Sequence, residues 1–313
     1  MKKFDVVALG EILIDMTCVG KSDMGQTLFE QNPGGAPANV LTAVQRLGGT
    51  TALIGKVGTD MHGKFLIDTL KKEKISTEGL LEDDSVFTTL AFVNIDDKGD
   101  RSFSFARKPG ADTCIKSEEV NTELIKNSRI FHVGSLSLTD EPARSATIFA
   151  LGEAKKAGCI ISYDPNYRAP LWKDEKTAIN GMRSILEYVD IIKISDEETK
   201  LLTGADSVEK ASAILIESGI KTVIVTKGKD GAHIRTKGGV VESAAVGGAP
   251  VDTTGAGDAF MGGFLWNLAK CGKKCEELSL GEVKEFADFA NKVAGFCVGR
   301  RGAINAMPFI DQI

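Results

Sequence analysis

Short runs of Val, Ile and Leu alternate along this chain with segments whose apolar residues recur at helical spacing. "FDVVALG" is followed by "APANVLTAVQRLGG", and "TALIGKVG" by "HGKFLIDTLKKEKI". Further on, "RIFHVGS", "CIISYDP", "DIIKIS" and "TVIVTKG" are each joined to a helix-period segment such as 141–157, 174–188 or 207–219. Strands that are apolar along their whole length are buried on both faces, and parallel strands need crossovers long enough to hold a helix. The pattern predicts an α/β fold, a doubly wound, mostly parallel sheet flanked by helices.

Residues 86–107, "VFTTLAFVNIDDKGDRSFSFAR", break the rhythm. They read as two strands of period-two alternation around the turn "DDKGD", with no helix between them. A hairpin added to an α/β core sits outside it, so this segment and strand-like residues near 12–30 are expected to form a small β-sheet lid. Phe103, Phe105 and Arg107 share one face of it. An ordinary edge hairpin would look the same, although an aromatic edge face usually needs covering by a ligand or a partner. No linker, repeat or low-complexity tract divides the 313 residues, and 1–313 reads as a single domain carrying the lid.

The formal charge of −5 leaves no basic footprint for nucleic acid or anionic membrane, which points to small-molecule chemistry. The six cysteines are dispersed, and the closest pair, "CGKKC", has neither a partner pair nor a neighbouring histidine. Reduced thiols are expected, with no zinc. The apolar start "MKKFDVVALGEILIDM" is interrupted by Asp5, Glu11 and Asp15 and reads as a first strand, not a signal peptide. No segment approaches the ~18 apolar residues of a membrane span; a soluble, cytoplasmic protein is expected. His62, His132 and His233 are isolated from any plausible triad and read as packing or exposed residues.

Two glycine-rich stretches carry the chemistry. After "VDTTGAGDAF", residues 251–260, the pattern turns helical, which places Gly255, Ala256, Gly257 and Asp258 at a helix N-terminus. Free N–H groups and the positive end of the dipole gather there, and glycines let an anion approach the backbone. A capping role would account for Asp258 alone, but not for the preceding Gly-Ala-Gly or for the Gly262-Gly263 pair one turn on. In "NPGGAPANV", Gly34 and Gly35 permit close approach, Pro37 suits a first helical turn, and Asn39 offers donors and an acceptor. A plain turn before a helix fits that stretch equally. Asp15, expected at the end of the first strand, can accept two sugar hydroxyls at the edge where parallel sheets bind ligands. "DPNYR", 164–168, ends a strand with Asn166 and Arg168, whose guanidinium can fork onto phosphate or lie on the surface.

Together, "GGAPANV" and "DTTGAGDAF" resemble the paired signatures of the ribokinase (PfkB) family of carbohydrate kinases. "GEILID", "LIGKVGTD", "SYDPNYRAPLW", "KISDEE", "VTKGKDG" and "GRRGA" fall in the family's order, so the resemblance spans essentially the whole chain and implies a ribokinase-like fold. Within the family these stretches are most similar to fructokinases. That implies transfer of the γ-phosphate of ATP to the primary hydroxyl of fructose, with 2-keto-3-deoxygluconate or ribose as alternative acceptors. A non-catalytic sugar or nucleotide sensor is the alternative of another class, and it has no need of Asp258.

The resemblance implies a role for each matching position. Asp258 would be the general base, the backbone of Gly255, Ala256 and Gly257 the anion hole, and Arg168 a phosphate ligand. Asp15, Gly34, Gly35 and Asn39 would bind sugar hydroxyls, Phe103 and Phe105 would close over them, and Arg107 would lie near the sugar. Lys193, Thr226, Lys227, Gly228 and Gly231 would border the nucleotide, with Asn291 near the adenine. Mg2+ would be held through water by Glu198, since Ser195 stands where the family often has Asn. K+ would lie beside Asp252, Thr254 and carbonyls of "CVGRRGA", although Ala306 replaces a serine that some relatives supply. A homodimer through the lid is expected.

Overall fold

The computed structural model describes residues 2–95 and 101–313, without the side chains of 94, 95 and 101–103. The turn at 96–100 and the Phe103 side chain therefore lie outside the described residues. The strands are β1 (Phe4–Leu9), β2 (Leu13–Lys21), β3 (Thr27–Gly34), β4 (Thr51–Gly58), β5 (Ser76–Asp83), β6 (Leu90–Ile95), β7 (Arg101–Ala106), β8 (Ser128–Gly134), β9 (Ile160–Asp164), β10 (Ile191–Ser195), β11 (Thr222–Thr226), β12 (Ala232–Thr236) and β13 (Gly239–Ser243). The helices are α1 (Ala36–Arg46), α2 (Met61–Lys72), α3 (Thr122–Lys126), α4 (Ala143–Lys156), α5 (Glu175–Arg183), α6 (Asp196–Thr203), α7 (Val208–Glu217), α8 (Ala256–Cys271) and α9 (Leu280–Val298).

The apolar runs build a nine-stranded sheet in the order β13-β12-β11-β10-β9-β8-β1-β4-β5. Its strands from β11 to β5 pair in parallel, while β12 and β13 close one edge antiparallel. Val6, Val7, Ala8 and Leu9 are fully buried because helices cover both faces. One core lies under α1, α2, α8 and α9, the other under α3 to α7. The order runs outward from β1 in both directions, so a crevice opens at the C-terminal strand ends beside it. Among the described residues, no helix is long and apolar enough to cross a membrane.

The four remaining strands form a separate sheet in the order β3-β2-β6-β7. Asp15 belongs to this small sheet, paired with Asn32 on β3 and Ala91 on β6, and not to the end of the first strand. The chain leaves β1 at Leu9 and re-enters extended structure at Leu13, so a few residues carry it from one sheet to the other. The apolar pattern continues across that junction, which hides it in the sequence.

The Gly262-Gly263 pair also has a different explanation from the one its position suggests. Helix α8 is wedged between α1 and α9. A Cβ on Gly262 would collide with Ala43 of α1, and one on Gly263 would lie 3.1 Å from the Ala290 Cα of α9. The pair accepts a lower helix propensity in exchange for close helix packing and does not line the cleft into which α8 opens.

Candidate active site

The N-terminus of α8 opens onto the crevice. Gly255 adopts a left-handed conformation, φ 77°, and a Cβ there would lie 2.8 Å from the Ala303 Cβ. This turn leaves the first N–H groups of α8 without intrahelical partners, next to the positive end of the dipole. Asp258, in the first turn, is buried and lines a cleft of about 420 Å³ together with Gly255 and Gly257. Asn39 donates from Nδ2 to Asp258 Oδ2 at 2.8 Å, which fixes the carboxylate's rotation.

Lys193 reaches the same turn from β10. Its Nζ lies 2.5 Å from Asp164 Oδ2, and a Cβ on Gly257 would stand 2.7 Å from that ammonium. A cation at the positive end of a helix needs negative charge around it. Burial opposes the Lys193 charge, but Asp164, then Asp258 and Glu198, outweigh it and hold the lysine's pKa above its usual value. Burial pushes Asp258 up to about 6, opposed chiefly by the Lys193 charge and the Asn39 hydrogen bond. Asp258 is thus largely ionised at neutral pH yet basic enough to take a proton. His132 is no competing base: burial, then the Lys193 charge, hold it neutral with a pKa of about 3.

The small sheet supplies the opposite wall through Leu13, Asp15, Ala91 and Phe105. Asp15 is raised to about 6 by burial, with the Arg168 charge opposing. A Cβ on Gly34 would strike its carboxylate, so that glycine makes room for Asp15 without facing the cleft itself. Gly35, φ 105°, does line the cleft, as do Asn166 and Arg168 from the loop after β9. Two acids that the sequence reading left out also belong here. Asp164 anchors Lys193, and Glu11 caps α1 by accepting from the Ala36 N–H at 3.0 Å. Burial raises Glu11 to about 7. Their positions at the ends of β9 and β1 were the available signal.

Arg107 is placed differently from the expectation. Its guanidinium donates to Asp112 Oδ2 at 2.8 Å, Thr139 Oγ1 at 2.8 Å and the Leu136 carbonyl at 2.9 Å, so it braces the cleft wall from behind. Glu198 is likewise engaged: Oε1 accepts from the Tyr167 N–H at 2.6 Å and Oε2 from the Ser195 N–H at 2.8 Å, the latter half of a capping box on α6.

Ala256, Gly228 and Asn291 line a mainly apolar trough of about 320 Å³, and Thr253 lines both trough and cleft. The first turn of α8 therefore stands between the two cavities. Thr226, Lys227 and Gly231 lie outside the trough lining. Lys227 Nζ pairs with Glu242 at 2.8 Å, and Gly231 sits against the Ser243 carbonyl. Asp252 ties two loops together: Oδ1 accepts from Thr254 N at 2.9 Å and Thr254 Oγ1 at 2.7 Å, and Oδ2 from Gly302 N at 3.1 Å.

A buried carboxylate in the first turn of a helix whose N-terminus opens on a cleft suits transfer of a phosphoryl group to a hydroxyl. The family model described as pfkB family carbohydrate kinase matches residues 3–310, and the chain belongs to that family. It is 44% identical over 309 residues to a protein of Arabidopsis thaliana named as a probable fructokinase, covering 97% of this chain and 94% of the relative. The structure of a fructokinase from Xylella fastidiosa with bound ATP superposes with a TM-score of 0.88 at 32% identity, covering 98% of this chain and 96% of that one. A double-mutant fructokinase from Vibrio cholerae O395, bound to fructose, ADP and potassium ion, gives 0.86 at 30% identity, with coverage of 98% and 96%.

Proposed function

We infer that this protein is an ATP-dependent fructokinase that converts fructose to fructose 6-phosphate. The observation that carries the reading is Asp258, ionisable and buried, lining the cleft from the same first turn of α8 whose Ala256 lines the trough. The fructokinase names of the relatives supply the sugar.

In this reading, Asp15, Gly35 and Asn39 bind the sugar's hydroxyls and aim its primary hydroxyl at Asp258. Asp258 takes the proton as the sugar oxygen bonds to the γ-phosphorus and the bond to the ADP oxygen breaks. The N–H groups from Gly255 to Asp258, with Lys193 and Arg168, hold the charge of the transferring group. The small sheet acts as a lid, with Phe105, Leu13 and Ala91 keeping water from accepting the phosphate.

The donor set fits magnesium carried mainly by phosphate oxygens and water. No three His, Cys, Asp or Glu converge as a metal site among the described residues, and both Glu198 oxygens already accept backbone bonds. Glu198 would act through water, and the ion would supply neutralisation of phosphate charge. The Asp252 clasp suits a monovalent cation that sets the loop before α8, and the potassium-bound relative supports it. Replacing K+ with tetramethylammonium is expected to lower turnover several-fold; equal rates in both salts would remove the cation site. Exposed Val19, Leu28 and Phe29 on the small sheet favour a homodimer through the lid.

A panel of sugars tests the substrate. In an ADP-release assay, kcat/KM for fructose should exceed those for ribose and 2-keto-3-deoxygluconate by about tenfold or more, because unmatched hydroxyls leave buried polar groups unpaired. A preference for either competitor overturns the assignment.

A further inference from the structure

Helix α1 begins without a cap of its own. Its first turn holds no acid, and Gly35, the residue before it, has no side chain to offer the free N–H groups. A Ser or Asp could not take that place, because φ is 105° and a Cβ would lie 2.5 Å from the Glu11 carbonyl oxygen and 3.0 Å from the Ile12 Cα. The cap comes instead from 25 residues earlier, where Glu11 Oε1 accepts from the Ala36 N–H at 3.0 Å. Glu11 stands where the chain passes from β1 to β2, and Gly35 where it returns from β3 to α1. The Glu11 side chain thus holds the Gly35 turn while the Glu11 backbone closes the space beside it. That turn lines the cleft, and its carbonyl accepts from the Asn39 N–H at 2.9 Å. Asn39 then holds Asp258 through its Nδ2 bond.

We propose that Glu11 is a positioning residue for the acceptor sugar: it clamps the Gly35 turn in the form that binds the sugar and, through Asn39, sets the rotation of Asp258. This rests on the reading that the cleft holds the sugar. The clamp needs an acceptor, not a charge. Burial raises the Glu11 carboxyl to about 7, and the protonated acid still offers a carbonyl oxygen to the Ala36 N–H. Without any acceptor that N–H is left buried and unpaired unless the turn opens, and the sugar then finds only the fraction of molecules in which the turn is closed.

Glu11→Met keeps the length of the side chain and removes the acceptor. Assayed well below its Tm, it should raise the fructose KM by about tenfold, the scale of one unpaired buried donor, and lower kcat several-fold as Asn39 loosens its hold on Asp258. The ATP KM should stay within about twofold, because the trough lies on the far side of the first turn of α8. Glu11→Gln, which restores an acceptor without the charge, should recover most of the fructose KM. A cap that served stability alone would lower Tm and leave the fructose KM of the folded molecules unmoved. If Glu11→Met does not fold, Glu11→Asp, whose carboxylate is drawn back by one methylene, stands in for it. Asp15→Asn is run beside them. If it raises the fructose KM and neither Glu11→Met nor Glu11→Asp does, the proposal is overturned while the cleft keeps its sugar. Fructose and ATP KM values that rise together overturn it too, as does a Glu11→Gln variant no better than Glu11→Met. If Asp15→Asn leaves the fructose KM unmoved, the sugar is not in this cleft, and the proposal falls with that reading.

Discussion

Asp258→Asn should lower kcat by about 10²- to 10⁴-fold, the usual scale for a positioned general base, while fructose and ATP still bind within a few-fold of wild-type affinity. The amide keeps the size of the carboxylate and can still accept from Asn39, so the cleft retains its shape. Calorimetric titration alongside turnover separates the two effects, and a variant within tenfold of wild-type kcat would remove Asp258 from the role of base. The same variant should be more stable at neutral pH. The carboxyl rises from 3.8 unfolded to about 6 folded, so at pH 7.5 both states are ionised and the folded state bears the full cost of the buried charge. That cost is on the order of 3 kcal/mol as an upper figure. As pH falls through 6 the folded state takes up its proton first and the cost shrinks, vanishing below about 4. The gain in Tm of Asp258→Asn should therefore be largest near pH 7.5 and fade toward pH 4, opposite in sign to its effect on rate.

The sequence makes the helix-terminus side of this site readable because the needed features are local. Gly255 and the apolar helix behind it announce a helix N-terminus whatever the rest of the chain does, and the continuous apolar runs can only be strands buried on both faces. Features set by packing at a distance were not readable in the same way. Gly262 and Gly263 look like Gly255 and Gly257, five to eight residues before them, but their absent side chains are demanded by Ala43 and Ala290, which only the folded chain brings near. Arg107 shares a strand face with Phe105, yet Asp112 and the Leu136 carbonyl claim its guanidinium. Glu198 stands three residues after Ser195, the spacing of a capping box, and that local role takes up one oxygen before any metal is considered. A single acid at a strand end carries no pattern, so nothing local in the sequence singles out Glu11 or Asp164. Their meaning comes from Ala36 and Lys193, 25 and 29 residues away.

Lys193 gives the second large effect. Lys193→Met should lower kcat by on the order of 10²-fold or more, since a charge beside the transferring group is lost from a site shielded from water. It should also move the acid limb of the pH–rate profile. Asp15 and Asp258 both sit near 6, and the Asp258 charge helps raise Asp15, so wild-type kcat/KM should fall below pH 6 more steeply than a single proton allows. The Lys193 charge is the largest influence holding Asp258 down. Without it Asp258 holds its proton to higher pH, and the limb must shift upward, toward neutrality. Removing the lysine alone also strands Asp164 in the interior, a loss of roughly 3–5 kcal/mol for a broken buried pair, so a slow variant could merely be a poorly folded one. Lys193→Met combined with Asp164→Asn removes both charges and should recover most of the lost Tm, with no recovery of kcat. If the double variant regains wild-type turnover, Lys193 serves the fold and not the phosphoryl group; if the acid limb of Lys193→Met alone stays at pH 6, the coupling between Lys193 and Asp258 is absent, whereas in the double variant the lost Asp164 charge offsets the shift.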